Sequence, residues 1–181
     1  MKKLALLLFA AFATFTSQAQ TSFAKGDNVL GLNIGFGGNV YGSGYTSKIP
    51  LISLKYEYCI KDNLFDAKSA IGIGAMVGYT SAKYAPLGWG WKYTNVILGV
   101  RGALHYQFVN RLDTYAGLML GYDVVSTKEI GTVGAGFSSN GSSFTWNFYI
   151  GGRYWFTNRL AAMAEIGAGV SILDVGIAYK F

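Results

Sequence analysis

The sequence has one cysteine, two prolines and one histidine in 181 residues, and only 13% of it is charged. Each shortage excludes something. A single Cys59 cannot form an internal disulfide. Two prolines beside 25 glycines argue against disorder and against collagen. No apolar run reaches the roughly 18 residues that a spanning helix needs. The net charge is +6, but the lysines and arginines are dispersed, so no nucleic-acid partner is expected. No His/Cys/Asp/Glu cluster has metal-ligand spacing. The pairs Gly35/Gly37, Gly72/Gly74 and Gly167/Gly169 lack the third glycine of a dinucleotide loop. No G-x-S-x-G nucleophile turn occurs. Cofactors and metals are therefore not expected. What remains is a chain that is 51% hydrophobic and 16% aromatic. Such a chain either has an unusually dry soluble core or crosses a bilayer as strands.

The N-terminus reads as a processing signal. Met1-Lys2-Lys3 is a short basic start, Leu4 to Phe15 is an apolar run, and Ser17-Gln18-Ala19 places small residues at the −3 and −1 positions. This is the pattern of a cleaved secretory signal peptide, residues 1–19. Residues 20–28 are then a short periplasmic segment, and residues 29–181 one domain.

That domain alternates with period two. Bulky apolar residues alternate with Gly or polar ones over Leu30–Phe36, Ile52–Ile60, Ile71–Tyr79, Val96–Phe108, Ala116–Val124, Phe144–Phe156, Leu160–Ile166 and Leu173–Phe181. Period two means strands with two unlike faces. The lumen of an eight-stranded barrel is only just wide enough for its own side chains. A lining made wholly of aromatic and branched residues would overfill it, whereas Gly with a few long polar chains fits. The greasy face therefore points to lipid, and closure is required because lipid cannot satisfy a sheet edge. The expected fold is all-β, an eight-stranded antiparallel up-and-down transmembrane β-barrel.

Connections set the orientation. Lys61–Lys68, Val109–Arg111 and Thr157–Arg159 are short, while Tyr41–Lys48, Ser81–Lys92 and Ser126–Ser143 are longer. Short turns face the periplasm and long loops the outside. The tight turn near Gly169–Ile172 departs from this rule. The even strands end in aromatics two apart, Tyr56/Tyr58, Tyr106/Phe108, Tyr154/Phe156 and Tyr179/Phe181, as an interfacial ring would. Tyr79, Tyr93, Tyr122 and Trp146 are expected in the opposite ring. Val109-Asn110-Arg111-Leu112 and Thr157-Asn158-Arg159-Leu160 look like one turn used twice, with Asn in the left-handed position.

The ending Leu173-x-Val175-x-Ile177-x-Tyr179-x-Phe181 resembles the outer-membrane β-signal read by the barrel-assembly machinery. Together with the signal peptide and eight strands, it makes the chain resemble the small OmpA/OmpX-type outer-membrane barrels. The resemblance implies a Gram-negative outer membrane, with membrane lipid and the assembly machinery as partners.

Two regions are candidate sites. Inward-facing Lys55, Glu57, Arg101, His105, Gln107, Asp113, Asp123, Arg153, Glu165, Asp174 and Lys180 form an expected lumen network, since buried ions persist only when paired. The expected neighbours are Gln107 with Asp113, His105 with Tyr115, and Arg153 diagonal to Glu165. In the outer loops, Tyr84, Leu87, Trp89 and Trp91 form an apolar cluster beside Lys83 and Lys92. Aromatics suit a surface ligand and lysines suit anionic headgroups. Ser126–Ser143 reads as a mobile Gly/Ser-rich loop. The expected function is non-enzymatic: a structural or adhesion-like surface role over a polar, plugged lumen. The alternative is an OmpW-like conduit for small apolar molecules. A lipid-modifying enzyme fits poorly, because His105 lies at the periplasmic end of its strand.

Overall fold

A strand that alternates Leu, Ile or Val with Gly, Ser or Asn cannot bury both faces equally, and eight such strands in sequence can share one inside. The computed structural model describes residues 22–38, 47–85, 89–131 and 138–181. Its strands are β1 Asn28–Phe36, β2 Ser47–Asp62, β3 Ser69–Tyr84, β4 Gly90–Val109, β5 Leu112–Ile130, β6 Ser138–Trp155, β7 Leu160–Gly169 and β8 Leu173–Lys180. Each pairs antiparallel with the next, and β8 closes on β1 with Leu30 opposite Tyr179 and Ile34 opposite Val175. The barrel wall therefore has no open edge where β1 and β8 meet. The segment 1–19 lies outside the described residues.

The outer wall is apolar. Leu98 is 51% exposed while its neighbour Ile97 is fully buried. Leu32, Ile73, Val100, Leu118, Ile150, Ile166 and Ile177 are likewise exposed. A band of Leu, Ile, Val and Phe around the whole circumference is stable only against hydrocarbon, so the barrel is transmembrane. At one end the exposed aromatics Tyr56, Tyr58, Phe108, Phe156, Tyr179 and Phe181 form the expected ring. Tyr79, Tyr122 and Trp146 are exposed toward the other end. Tyr93 is not among them. It alternates with lipid-side Lys92 and Thr94 and shares the inner face with buried Asn95 and Ile97.

The interior is more layered than Gly plus polar chains. One buried cluster, Phe23, Val29, Cys59, Ala70, Trp155, Ala161, Met163 and Ala178, fills the end that carries the β4–β5 and β6–β7 turns. A second, Leu51, Met76, Ile97, Ala103, Met119, Val170 and the rings of Tyr115 and Tyr149, extends to the β7–β8 turn at the other end. Charged groups lie between them. The inward glycines make the room. A Cβ on Gly117 would collide with the Tyr149 ring, and one on Gly72 would lie 2.8 Å from the Glu57 carboxylate.

The two similar turns fold differently. The β4–β5 turn is not the three residues Val109–Arg111, because Val109 still pairs with Leu112 after a bulge. Its left-handed residue is Arg111, at φ 67°, and not an asparagine. In the β6–β7 turn, the Thr157 Oγ1 accepts from the amides of Arg159 and Leu160 instead. The β2–β3 turn is residues 63–68. There Asp66 Oδ1 accepts from the Lys68 amide and Oδ2 from the Tyr106 hydroxyl. These bonds, the Lys68 amide first, hold the Asp66 carboxyl below its ordinary range.

Two of the long loops expected on the outer side, Ser81–Lys92 and Ser126–Ser143, are mostly strand. β3 and β4 stay paired to Tyr84 opposite Trp91. β4 and β5 stay paired to Gly90 opposite Ile130, and β5 and β6 to Lys128 opposite Ser138. Ser126–Ser143 is therefore a tall hairpin and not a coil, with residues 132–137 outside the described set. Of the expected Tyr41–Lys48 loop, residues 41–46 are also outside it, and β2 begins at Ser47. β5 runs eight residues past Tyr122 to Ile130, roughly 26 Å of strand at about 3.3 Å per residue. β7, β8 and β1 stop at the rim, so β2–β6 rise above it as one tall sheet.

Candidate functional site

The lumen network is built across the barrel. Lys55 on β2 reaches Glu165 on β7 at 2.6 Å and Asp174 on β8 at 3.4 Å. Arg101 on β4 reaches the other Glu165 oxygen at 2.7 Å, and the Tyr115 hydroxyl donates to Glu165 at 3.0 Å. Toward the end with the β4–β5 turn, His105 lies between two carboxylates, Nδ1 2.9 Å from Asp113 and Nε2 2.9 Å from Glu57. Arg153 donates to Glu57 and lies 3.5 Å from Asp113, its direct cross-strand partner. The Arg101 guanidinium stacks 4.0 Å above the Tyr149 ring, and Arg153 is 4.7 Å from the Tyr115 centroid.

Charge explains why the layer can exist. Lys55, Arg101 and Arg153, with the His105 ring set between two carboxylates, face Glu57, Asp113, Glu165 and Asp174. Each ion has a partner of opposite sign, which is the condition for keeping charges between two apolar layers. The gap among Lys55, Glu57, Arg101 and Arg153 is about 10 Å³, at the lower limit for one water. Both ring nitrogens of His105 are occupied, leaving none for a metal or a substrate.

His105 does stand opposite Tyr115. Arg153 is diagonal to Glu165, since it pairs with Met163, but its ions are Glu57 and Asp113. Gln107 does not meet Asp113 in a hydrogen bond. Its side-chain oxygen accepts from the Ser22 amide at 2.8 Å. Asp123 accepts from Asn95 at 2.6 Å, apart from the main layer. Lys180 leaves the layer too, bonding Asp27 at 3.0 Å and the Ser22 carbonyl at 3.2 Å while lying 5.2 Å over the Trp155 ring.

Both ends of the lumen are covered by chain that the sequence reading did not place there. At the end with the β4–β5 turn, residues 22–27 turn inward. Phe23 is buried, with its ring 4.3 Å from the His105 ring. Asp27 and Gly26 exchange backbone bonds with Cys59, and the Lys25 amide donates to Asp62. A lone aromatic just before β1 is the only signal for this. At the opposite end, the tight β7–β8 turn also folds inward. Val170 and Ser171 are buried, Ser171 Oγ donates to Asp174, and its amide donates to Asn147 at 3.3 Å. That turn is short because it bonds to lumen side chains instead of rising into solvent.

In the tall sheet, Tyr84 pairs with Trp91 at the β3–β4 tip, and Trp89 is exposed just before β4. Leu87 lies outside the described residues. Leu173, Val175, Ile177 and Tyr179 occupy the exposed face of β8, and the Phe181 amide donates to Asn28 just after that strand.

No family model and no curated protein matches the chain. Solved structures do. The crystal structure of Ail, the attachment invasion locus protein of Yersinia pestis, in complex with the heparin analogue sucrose octasulfate aligns at TM-score 0.52 and 16% identity, covering 87% of this chain and 99% of that one. A second crystal structure of Ail aligns at 0.50 and 14%, with the same coverage. The N-terminal β-barrel domain of Pseudomonas aeruginosa OprF aligns at 0.49 and 12%, covering 87% of this chain and 98% of that one. Eight antiparallel strands closed in chain order, a lipid-facing apolar wall and this likeness give the chain the fold of the small eight-stranded outer-membrane barrels of the OmpA and OmpX type.

Proposed function

We propose that this chain is a non-enzymatic integral outer-membrane protein that works at its outer surface, through the tall β2–β6 sheet, on a closed lumen. The observation that carries the reading is the unequal strand height. β6 pairs with β7 only from Asn147 downward, opposite Gly169. Among the described residues, Ser138–Trp146 are bonded on the β5 side alone. β1 likewise meets β2 only up to Gly35 opposite Leu51. Among the described residues the sheet therefore rises with two edges that no strand pairs with, and such an edge is a template for an added strand. The β6 edge is Ser- and Asn-rich, which keeps it soluble while leaving its backbone groups available. Ail, whose name describes attachment and invasion, supports a surface role by analogy of fold alone.

The closed lumen rests on the ion-paired layer with the segments folded in at both ends. A conduit for apolar molecules needs a continuous apolar path, and these groups lie across it. An enzyme needs an accessible group, and His105 is enclosed by Glu57, Asp113 and Phe23. A cleaved segment 1–19, outer-membrane lipid as the surrounding solvent, and the Leu173–Phe181 ending as the signal for the assembly machinery complete this reading.

The test uses the full-length protein in vesicles, presented to cultured epithelial monolayers and to bacterial envelope vesicles. Replacing residues 123–143 with a two-residue turn between the paired Tyr122 and Phe144 removes most of the β6 edge and is expected to leave a folded barrel with adherence reduced to background. Adherence unchanged by this trimming, in a barrel that still migrates as folded on an unheated gel, would refute the surface role.

A further inference from the structure

Three lysines that are far apart in sequence meet in one row of the tall sheet. Lys83 on β3 stands directly opposite Lys92 on β4, and Lys92 directly opposite Lys128 on β5. Alternation puts all three on the lipid-side face, in line with Val77 and Tyr79, with Val96 and Leu98, and with Tyr122 and Val124. Among the described residues none of the three has an ion-pair partner. Glu129, the nearest acid in sequence, alternates to the opposite face. Like charges directly opposite each other destabilise a sheet. Nothing in the fold requires this row, so it conflicts with the local rule unless something outside the protein neutralises it.

Its height identifies what that is. Along this sector the apolar wall ends at the row Tyr79, Val96, Val124. Next comes a hydroxyl row, Ser81, Thr94 and Ser126, in which Ser81 Oγ donates to the Tyr93 carbonyl and lies 3.5 Å from Thr94 Oγ1. The lysines form the row after that. Four residues of strand past Tyr79 are about 13 Å of chain, or on the order of 10 Å of height at the usual barrel tilt. That sets the lysine backbone about 3–5 Å beyond the headgroup zone, which is about 5–7 Å deep on each side of the hydrocarbon, and a lysine stem folded back along the wall brings its ammonium to the headgroups.

We propose that Lys83, Lys92 and Lys128 form a docking row for the phosphate groups of outer-leaflet lipid headgroups, fixing the height and orientation of the tall sheet on the membrane. This rests on the outward orientation of that sheet but not on its adhesive role. A tetrahedral phosphate set between adjacent ammonium groups supplies the missing counter-charge, and a phosphate monoester carries more charge than a zwitterionic headgroup.

The full-length protein is refolded into phosphatidylcholine vesicles carrying spin-labelled phosphatidic acid or spin-labelled phosphatidylcholine, and the motionally restricted lipid fraction is measured. The wild type is expected to enrich phosphatidic acid over phosphatidylcholine on the order of threefold. The Lys83→Gln/Lys92→Gln/Lys128→Gln variant is expected to lose at least about half of that enrichment. A Lys61→Gln/Lys68→Gln control at the periplasmic end keeps it. The triple variant relieves repulsion, so its urea midpoint in phosphatidylcholine should equal or exceed that of wild type, and phosphatidic acid should raise the wild-type midpoint alone. Enrichment that survives the triple substitution, or falls equally in the control, overturns the proposal. If the triple variant loses binding to soluble heparin but keeps its lipid selectivity, the row serves a soluble polyanion and the proposal also fails. Wild-type lipid enrichment without adherence to cells would sink the surface-interaction reading and leave this one standing.

Discussion

Glu165 is the residue on which most of the lumen depends. It is buried and takes bonds from Lys55, Arg101 and Tyr115, which come from three strands. Removing one member of a buried ion set leaves the others uncompensated, at a cost of about 3–5 kcal/mol. Glu165→Gln is therefore expected to lower unfolding free energy by that order, read from urea titration in vesicles. Replacing Lys55, Arg101 and Glu165 with Leu or Met and Asp174 with Asn should recover most of the loss, because no ion is then stranded. On the opposite face, Leu98→Arg places a charge in hydrocarbon and should cost on the order of 2–4 kcal/mol. Leu98→Ile should be silent in the same titration. The inward identity of Lys55, Arg101 and Glu165 is legible from parity alone. Their pairing is not, since Lys55 and Glu165 are 110 residues apart and meet only because the closed ring brings β2 and β7 across one lumen.

At the scale of elements, the least legible pieces are the ones that end or cap strands. Ser, Thr, Asn and Gly carry a weak strand signal, so the upper parts of β5 and β6 look like a loop in sequence. Pairing with a neighbour that is already strand decides otherwise. The segment 22–27 has no period at all, yet it seats Phe23 on His105 and covers Cys59. Phe23→Ala, or deletion of residues 22–26, is expected to unseat it. The native Cys59 thiol, fully buried in the intact protein, should then react with a maleimide at least about tenfold faster, in line with a local opening made cheaper by lost contacts. Equal labelling of wild type and variant would show that this segment does not seal its end of the lumen.

Considered whole, the molecule has its polar atoms inside and its apolar surface outside, the reverse of a water-soluble barrel. Dispersal in buffer without detergent should therefore fail. A monodisperse detergent-free sample in sedimentation would show that the apolar wall does not face lipid. Reconstituted into planar bilayers, the protein should show no stable large openings, because ion pairs, Phe23 and Val170 lie across the path. Steady conductance would require a lumen packed differently from this one.

The sequence by itself determined the class of fold, the number of strands, which face meets lipid and which residues point inward. These follow from a period-two pattern that is local to each strand and from the absence of a helix-length apolar run. Only the tertiary structure decided who pairs with whom, how far β2–β6 rise above the rim, why the last outer turn is short, and that three distant lysines share a row. Those depend on register and closure, which couple residues across the ring and leave no trace in the spacing along any one strand.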